Sequence, residues 1–415
     1  MRLDPLAPRL PRKFGPYTLF DIIGKGGMAE IFLACARTDL GGQRLCVVKQ
    51  IIPAFSEHPH FAEMLIHEAK LAARLDHAHI VQVMDLGRAG EALYIAMEYV
   101  EGFDLNELLR RCTKAKIPLP FEFALLVVSD VLKALDYAHR RTDDSGAPLG
   151  IVHRDVSPSN VLISFEGQSK LCDFGIAHAN ETVSASTPAG GVPLRDALQG
   201  KAGYMSPEHA RGEALDARAD VFAAGILLWE LVAGRRMYRQ EGDRGSLLEQ
   251  ARRGAAPPLP PRQLPDEAEI RRITTKALAT DRAGRYASSA AMLRDLEAYV
   301  ASTQQVASPL RLGEWLTSSF GTGMVTERRM RQRGAEALDR GPAVVITPIP
   351  PPVADAPPPP RIAPMKAPPA LEEPAASVAP AAARSAAPLA AKRGRWIVLA
   401  AILLVAGVLA LLGRR

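Results

Sequence analysis

The alternation of apolar and polar positions changes period several times along the chain, and each change marks an element. From Tyr17, Thr18-Leu19-Phe20-Asp21-Ile22-Ile23 and then Gly24-Lys25-Gly26-Gly27-Met28-Ala29-Glu30-Ile31-Phe32-Leu33 read as two strand-like runs joined by glycines, a predicted hairpin. Leu45-Cys46-Val47-Val48-Lys49 predicts a buried strand ending on a lysine, and the spacing turns helical over 61–71. His77-Ala78-His79-Ile80-Val81 is a turn into the next strand. Residues 93–101 alternate as a strand that breaks at Gly102, and helices follow over 104–111 and, largely apolar, 121–139. After the turn insert Asp143-Asp144-Ser145-Gly146-Ala147-Pro148, the runs Val161-Leu162-Ile163 and Leu171-Cys172 predict short buried strands. Buried or amphipathic helices are expected over 220–231, 287–299 and 310–320.

The chain ends pattern differently. Residues 1–16 mix Arg, Pro and Leu and read as a disordered leader with no secretory character. Residues 301–340 read as a helical extension with the basic run Arg328-Arg329-Met330-Arg331-Gln332-Arg333, a solvated helix face. Residues 341–391 are rich in Pro and Ala and predict an unfolded tether. Residues 396–412 carry no charge, and at about 1.5 Å per residue they cover roughly 26 Å. That is slightly short of a hydrocarbon core of about 30 Å, a gap that flanking arginines and Trp396 close. A single membrane span is expected there, and the cluster Lys392-Arg393-Gly394-Arg395 places the preceding chain in the cytoplasm.

Composition adds two exclusions. A net charge of +6 over 415 residues, with no basic stripe interleaved with aromatics, argues against nucleic acid as a partner. Cys35, Cys46, Cys112 and Cys172 lack CxxC spacing, three of them lie in runs typical of small core residues, and a reduced, cytosolic catalytic region is expected.

The candidate chemistry centres on His153-Arg154-Asp155-Val156-Ser157-Pro158-Ser159-Asn160 and Asp173-Phe174-Gly175, oxygen ligands carried on loops between short strands and suited to a magnesium ion. These stretches resemble the catalytic loop and metal-binding triplet of bacterial eukaryotic-type (Hanks-type) serine/threonine protein kinases. The resemblance covers about residues 17–300 and implies an α+β, two-lobed fold, with a β-rich lobe over about 17–97 and a helical lobe over about 101–300. A dinucleotide fingerprint is the rival for the glycine run, but the residues after Ala29 alternate as a strand where that fold needs a helix.

What the resemblance implies for the site follows residue by residue. Asp155 accepts the substrate hydroxyl proton, and Asn160 and Asp173 hold magnesium against ATP. Ile23, Gly24, Lys25, Gly26, Gly27, Met28, Ala29, Glu30 and Ile31 form the lid over the phosphates. Ala29 stands where the family has a third glycine. Lys49 grips the phosphates and pairs with Glu68, about twenty residues on. Backbone near Glu98 and Val100 meets the adenine edge, Ile31, Val47 and Leu162 cover its faces, and Met97 gates the rear. Asp220 ties down the catalytic loop, and Glu208 pairs with Arg285. The hydroxyl-rich segment up to Gly200, with Thr182, Ser184, Ser186 and Thr187, resembles an activation segment whose phosphate would pair with Arg154.

One departure bears on activity. Ser157 stands where the family's serine/threonine members carry a lysine, and Lys201 stands where they carry a threonine; the resemblance implies that Lys201 supplies the missing catalytic cation. Pro158 and the pattern Gly200-Lys201-Ala202-Gly203-Tyr204-Met205-Ser206-Pro207-Glu208 favour serine and threonine substrates. The alternative is a membrane-tethered scaffold that binds ATP and partners without transferring phosphate.

Overall fold

The structure of the protein, a computed structural model, describes residues 10–26, 29–37, 42–52, 59–174, 202–239 and 246–339. Strand-period sequence builds the first lobe. β1 (Arg12–Phe14), β2 (Tyr17–Lys25), β3 (Ala29–Arg37), β4 (Gln43–Ile51), β5 (Val83–Ala89) and β6 (Ala92–Glu98) form an antiparallel sheet in the order β1-β2-β3-β4-β6-β5. One face buries Leu19, Phe32, Ala34, Cys46, Val48 and Tyr94 together. On the other, Ile51, Leu93 and Ile95 lie under Leu65 and Ala69 of α1 (Pro59–Ala73). Strand alternation therefore turns Val47 and Lys49 away from the face that buries Cys46 and Val48.

β1 corrects the expectation of a disordered leader through residue 16. Phe14 is buried with its ring 5.6 Å from that of Tyr94, and Arg12 to Phe14 pair with Leu19 to Tyr17. One buried aromatic suffices to hold so short an edge strand.

Beyond Glu98 the chain enters a second lobe through β7 (Gly102–Asp104), whose Asp104 carboxylate accepts from the Glu107 N–H at 2.8 Å and caps α2 (Leu105–Ala115). Next come α3 (Phe121–His139), then β8 (Val161–Ser164) and β9 (Ser169–Leu171), which complete a β7-β8-β9 sheet. A Cβ at Gly102 would lie 1.9 Å from the Ile163 carbonyl oxygen, so only glycine allows β7 this close to β8. α4 (Pro207–Arg211), α5 (Arg218–Ala233), α6 (Leu247–Arg253), α7 (Glu267–Ala277) and α8 (Ser289–Ser302) follow, with α5 and α8 packed directly on α3. Their apolar faces, with Leu132, Leu135, Phe222, Trp229, Ile270 and Leu296, make one large core.

The helical extension expected over 301–340 is α9 (Pro309–Asp339), 31 residues long; the folded region, expected to close near Val300, continues into it, because its Leu312, Leu316 and Met324 are buried in the large core. Among the described residues no helix is long and apolar enough to cross a membrane. The expected tether over 341–391 and span over 396–412 lie outside the described residues.

Candidate active site

Two loops meet below the small sheet. The catalytic-loop stretch is fixed from beneath by Asp220, near the start of α5. Its Oδ2 accepts from the His153 N–H at 2.7 Å, its Oδ1 from the Arg154 N–H at 2.8 Å, and His139 Nε2 lies 2.8 Å from Oδ2. Burial alone would raise the Asp220 pKa, but the hydrogen bond and charge of His139 and the loop N–H groups outweigh it and hold the carboxyl below its ordinary range. His153 is itself fully covered; burial lowers its pKa and keeps it neutral, with Nε2 3.0 Å from the Cys172 carbonyl and its ring 4.5 Å from Phe174. One buried histidine thus ties the loop before Asp155 to the residues around Asp173.

Asp155 is set by its neighbours. Its N–H donates to His153 Nδ1 at 3.2 Å, and the Asn160 amide donates both to its carbonyl at 2.8 Å and to its Oδ2 at 2.9 Å. Asn160 opens β8 from a short 3-10 turn, and its own carbonyl accepts from the Cys172 N–H at 2.9 Å. The two oxygen-bearing residues assigned to a metal, Asn160 and Asp173, are therefore joined through adjacent backbone. With the Asn160 side-chain nitrogen engaged on Asp155 and its backbone carbonyl on Cys172, the oxygens facing a cation are Asn160 Oδ1 and the Asp173 carboxylate, a set that fits a hard divalent ion.

Backbone conformation marks the same two loops. Arg154 and Asp173 have φ of 66° and 63°, in the left-handed region that non-glycine residues seldom occupy. Such strain persists only where surrounding contacts over-determine it. Sequence reasoning had no signal for it.

Lys49 reaches Asp173 rather than the expected Glu68. The ammonium is 2.9 Å from Asp173 Oδ1, and among the described ion pairs none joins Lys49 to Glu68. The left-handed turn at Asp173 brings its carboxylate under β4, and the nearest carboxylate captures the cation. Glu68 instead lines a cavity of about 70 Å³ between α1 and the catalytic loop, with Leu71, Leu75, Ile151, Arg154 and Phe174.

The remaining expected residues fall around this cleft. Gly24 sits opposite Ile31 across the β2–β3 hairpin, the Gly26 N–H donates to the Ala29 carbonyl at 2.9 Å, and Lys25 pairs with Glu30 at 2.9 Å. Ile23 is 40% exposed, free to face a ligand. A strand follows Ala29, as expected against a dinucleotide site. Ile31 is in register with Lys49, Met97 lines a small cavity with Val83, Ile95, Asp173 and Phe174, and Leu162 sits on β8 opposite Asp104 and Lys170. Val100 lies between β6 and β7. Gly27, Met28, Gly175, the hydroxyls at Thr182, Ser184, Ser186 and Thr187, and Lys201 lie outside the described residues. Ser157 is buried, with its hydroxyl 3.1 Å from that of Ser159.

Two participants escaped the sequence, Lys170 and His139. The Glu98 carboxylate accepts from Lys170 Nζ at 2.6 Å and from the Gln82 N–H at 2.8 Å, so this residue bridges lobes through its side chain as well. A lysine between the buried Ser169 and Leu171 was the available clue. His139 was the other, a histidine ending an apolar helix and hence in need of a buried partner. The expected pair of Glu208 with Arg285 is present as a bidentate fork at 2.6 and 2.8 Å.

A sheet-rich lobe over a helical lobe, with a carboxylate-bearing loop and a lysine–aspartate pair between them, is the arrangement of the protein kinase fold. Residues 17–295 match the protein kinase domain family, and the chain belongs to it. It is 39% identical over 324 residues to the tyrosine-protein kinase MasK of Myxococcus xanthus, covering 78% of this chain and 49% of that protein. It is 35% identical over 286 residues to the serine/threonine-protein kinase PknB of Mycobacterium leprae, covering 68% of this chain and 42% of that one. The chain thus spans about half or less of the length of these relatives. The kinase domain of Mycobacterium tuberculosis PknI superposes with a TM-score of 0.50 at 29% identity, over 70% of this chain and 99% of that one.

Proposed function

We propose that the protein transfers the γ-phosphate of ATP to serine and threonine hydroxyls of proteins. The observation that carries this reading is the Asp155 carboxylate held by Asn160 on an Asp220-anchored loop, in the same cleft as the Lys49–Asp173 pair. Asp155 takes the proton of the attacking hydroxyl as its oxygen bonds to the γ-phosphorus; the bond to the bridging oxygen breaks, and ADP leaves. Lys49 steadies the phosphates, the Gly24–Gly26 turn covers them, and backbone at Glu98 and Val100 meets adenine between Ile31, Val47 and Leu162. Asn160 and Asp173 would hold a magnesium ion, whose charge would neutralise that of the phosphates. A scaffold without transfer would not need the intact set of Lys49, Asp155, Asn160 and Asp173.

The choice of hydroxyl rests on Pro158, on the 200–208 pattern and on the kinship with PknB, set against the kinship with MasK. Phosphoamino-acid analysis after incubation with labelled ATP is expected to give phosphoserine and phosphothreonine, with peptides from 174–208 among those labelled. Phosphotyrosine alone would reverse the assignment.

Lys201 is proposed as the cation that serves the reaction in place of the lysine absent at 157. Removing one such electrostatic donor costs about 10²- to 10³-fold in rate. Lys201→Ala is therefore expected to turn over at that reduced level on a peptide substrate; near-normal turnover would show that Lys201 plays no part.

The kinase domain is further proposed to work at the cytoplasmic face of a membrane, anchored by 396–412. Support is confined to sequence, the uncharged run and its basic flank. Fractionation should leave the full chain in the membrane after a high-salt wash and release a chain stopped before Lys392. Recovery of the full chain in the soluble fraction would contradict the anchor.

A further inference from the structure

α9 does more than lengthen the large lobe. At about 1.5 Å per residue its 31 residues extend about 46 Å, more than the width of a small domain. The first half is seated on backbone. A Cβ at Gly167, in the β8–β9 turn, would fall 2.0 Å from the Pro309 carbonyl oxygen, and one at Gly313 would fall 2.9 Å from the Glu166 carbonyl carbon. Helix and turn approach so closely that each side presents glycine, which fixes where the helix starts and which way it points. Trp315 adds a ring contact to Phe123 of α3 at 5.8 Å.

The second half reaches the segment that joins the lobes. Near Gly323 the helix passes Arg111, whose guanidinium stacks 4.3 Å over Phe103 just after the joining segment. Just over two turns beyond, the Arg331 guanidinium lies 5.5 Å over the ring of Tyr99, between Glu98 and Val100. Gly334 then meets the small lobe, where a Cβ would come 3.3 Å from the ring of Phe20 on β2. β2 is the strand that leads into Gly24 and Gly26. A single rigid element seated on the large lobe therefore touches the joining segment and the strand of the phosphate lid.

We propose that α9 is a strap that holds these two parts of the nucleotide site in their binding arrangement, making Arg331 and Gly334 positioning residues for nucleotide binding. The inference rests on the kinase reading above. Neither residue is assigned a contact with nucleotide; each acts through Tyr99 or Phe20. Without the strap the lobes are freer to rock about the residues between β6 and β7, and binding must then order them. With it, that ordering is already present in the folded chain.

The test uses the full chain, with binding of a fluorescent ATP analogue and initial rates across ATP concentration. Loss of one cation–π contact corresponds to about a two- to fivefold change in an equilibrium constant. Arg331→Ala is expected to raise the analogue's Kd and the KM for ATP by that factor, with kcat changed by less than about twofold, the signature of lost binding rather than lost chemistry. Arg331→Lys should recover most of the affinity because it keeps a cation over the ring. Gly334→Val, which pushes on Phe20, should move Kd the same way. The strap is overturned if Arg331→Ala binds the analogue as tightly as the wild type, or if Arg331→Lys is as impaired as Arg331→Ala. It is equally overturned if kcat and melting temperature fall together while KM stays put, since that marks general destabilisation. A wild-type chain that neither binds the analogue nor transfers phosphate overturns the kinase reading instead.

Discussion

Asp155→Asn is expected to cut phosphoryl transfer by about 10²- to 10⁴-fold, the usual contribution of a positioned general base, with nucleotide affinity and melting temperature near those of the wild type. The separation follows from where Asp155 sits. Its backbone is held by His153 Nδ1 and by the Asn160 amide, and these bonds do not need a carboxylate on residue 155. Asparagine keeps the shape and one oxygen for Asn160, leaves no buried charge behind, and removes only the capacity to take a proton. Lys49→Ala makes a useful contrast. Its ammonium is 2.9 Å from Asp173 and its side chain 12% exposed, so its removal takes away phosphate binding and the counter-charge of a metal-ligand candidate together. Lys49→Ala should lose nucleotide affinity as well as rate. Calorimetric titration with an ATP analogue beside turnover assays separates the two; equal loss of affinity in both variants would place Asp155 in binding rather than chemistry.

The largest effect on stability is expected at Arg285→Met. The Arg285 side chain is 0% exposed and that of Glu208 5%, so solvent screening gives no relief when one partner goes. Arg285 also donates to the carbonyls of Ala279, Arg218 and Thr280, which join α4, the start of α5 and the segment after α7. Breaking a buried pair from one side typically costs about 3–5 kcal/mol. For a domain of this size that lowers the melting temperature by roughly 5–8 °C. A shift below about 3 °C would mean that the site repacks or takes up water. The same pair sets an acid dependence. Burial alone would raise the Glu208 pKa, but the Arg285 hydrogen bonds outweigh it and hold the carboxyl below its ordinary value. A carboxyl depressed in the folded state contributes stability above its unfolded pKa and loses it as pH falls through the folded one. Wild type should therefore melt progressively lower from about pH 4.5 downward, and Arg285→Met should lack that component of the slope.

Local pattern carried most of the architecture. The hairpin after Tyr17, the helix over 121–139 and the buried helix after Asp220 each repeat one period long enough to declare themselves, and the 104–111 expectation gained its cap in Asp104. What escaped depends on partners distant in sequence. β1 is three residues that hold because Phe14 meets Tyr94, and the chain before residue 17 offers no alternation to reveal it. The reach of α9 was hidden for a related reason. Its first half packs through Leu312, Trp315 and Leu316 at the helical spacing expected over 310–320, but farther on it is held through Gly334 and an arginine, neither of which reads as an apolar stripe.

In the site, the residue types and their spacing were legible, whereas their pairing was not. Lys49 and Asp173 lie 124 positions apart, and which carboxylate takes the lysine is settled by the left-handed turn at Asp173. The Asp220 anchor came from resemblance, and His139, which completes it, carried no motif of its own.

The most direct test of the central claim is transfer of label from γ-labelled ATP to protein by the full chain, run beside Asp155→Asn with each chain's melting temperature recorded. Label on serine and threonine with the wild type, reduced by at least about 10²-fold in an equally stable Asp155→Asn, is the predicted result. Equal labelling by the two chains, or no labelling by a folded wild type that binds ATP, would contradict it.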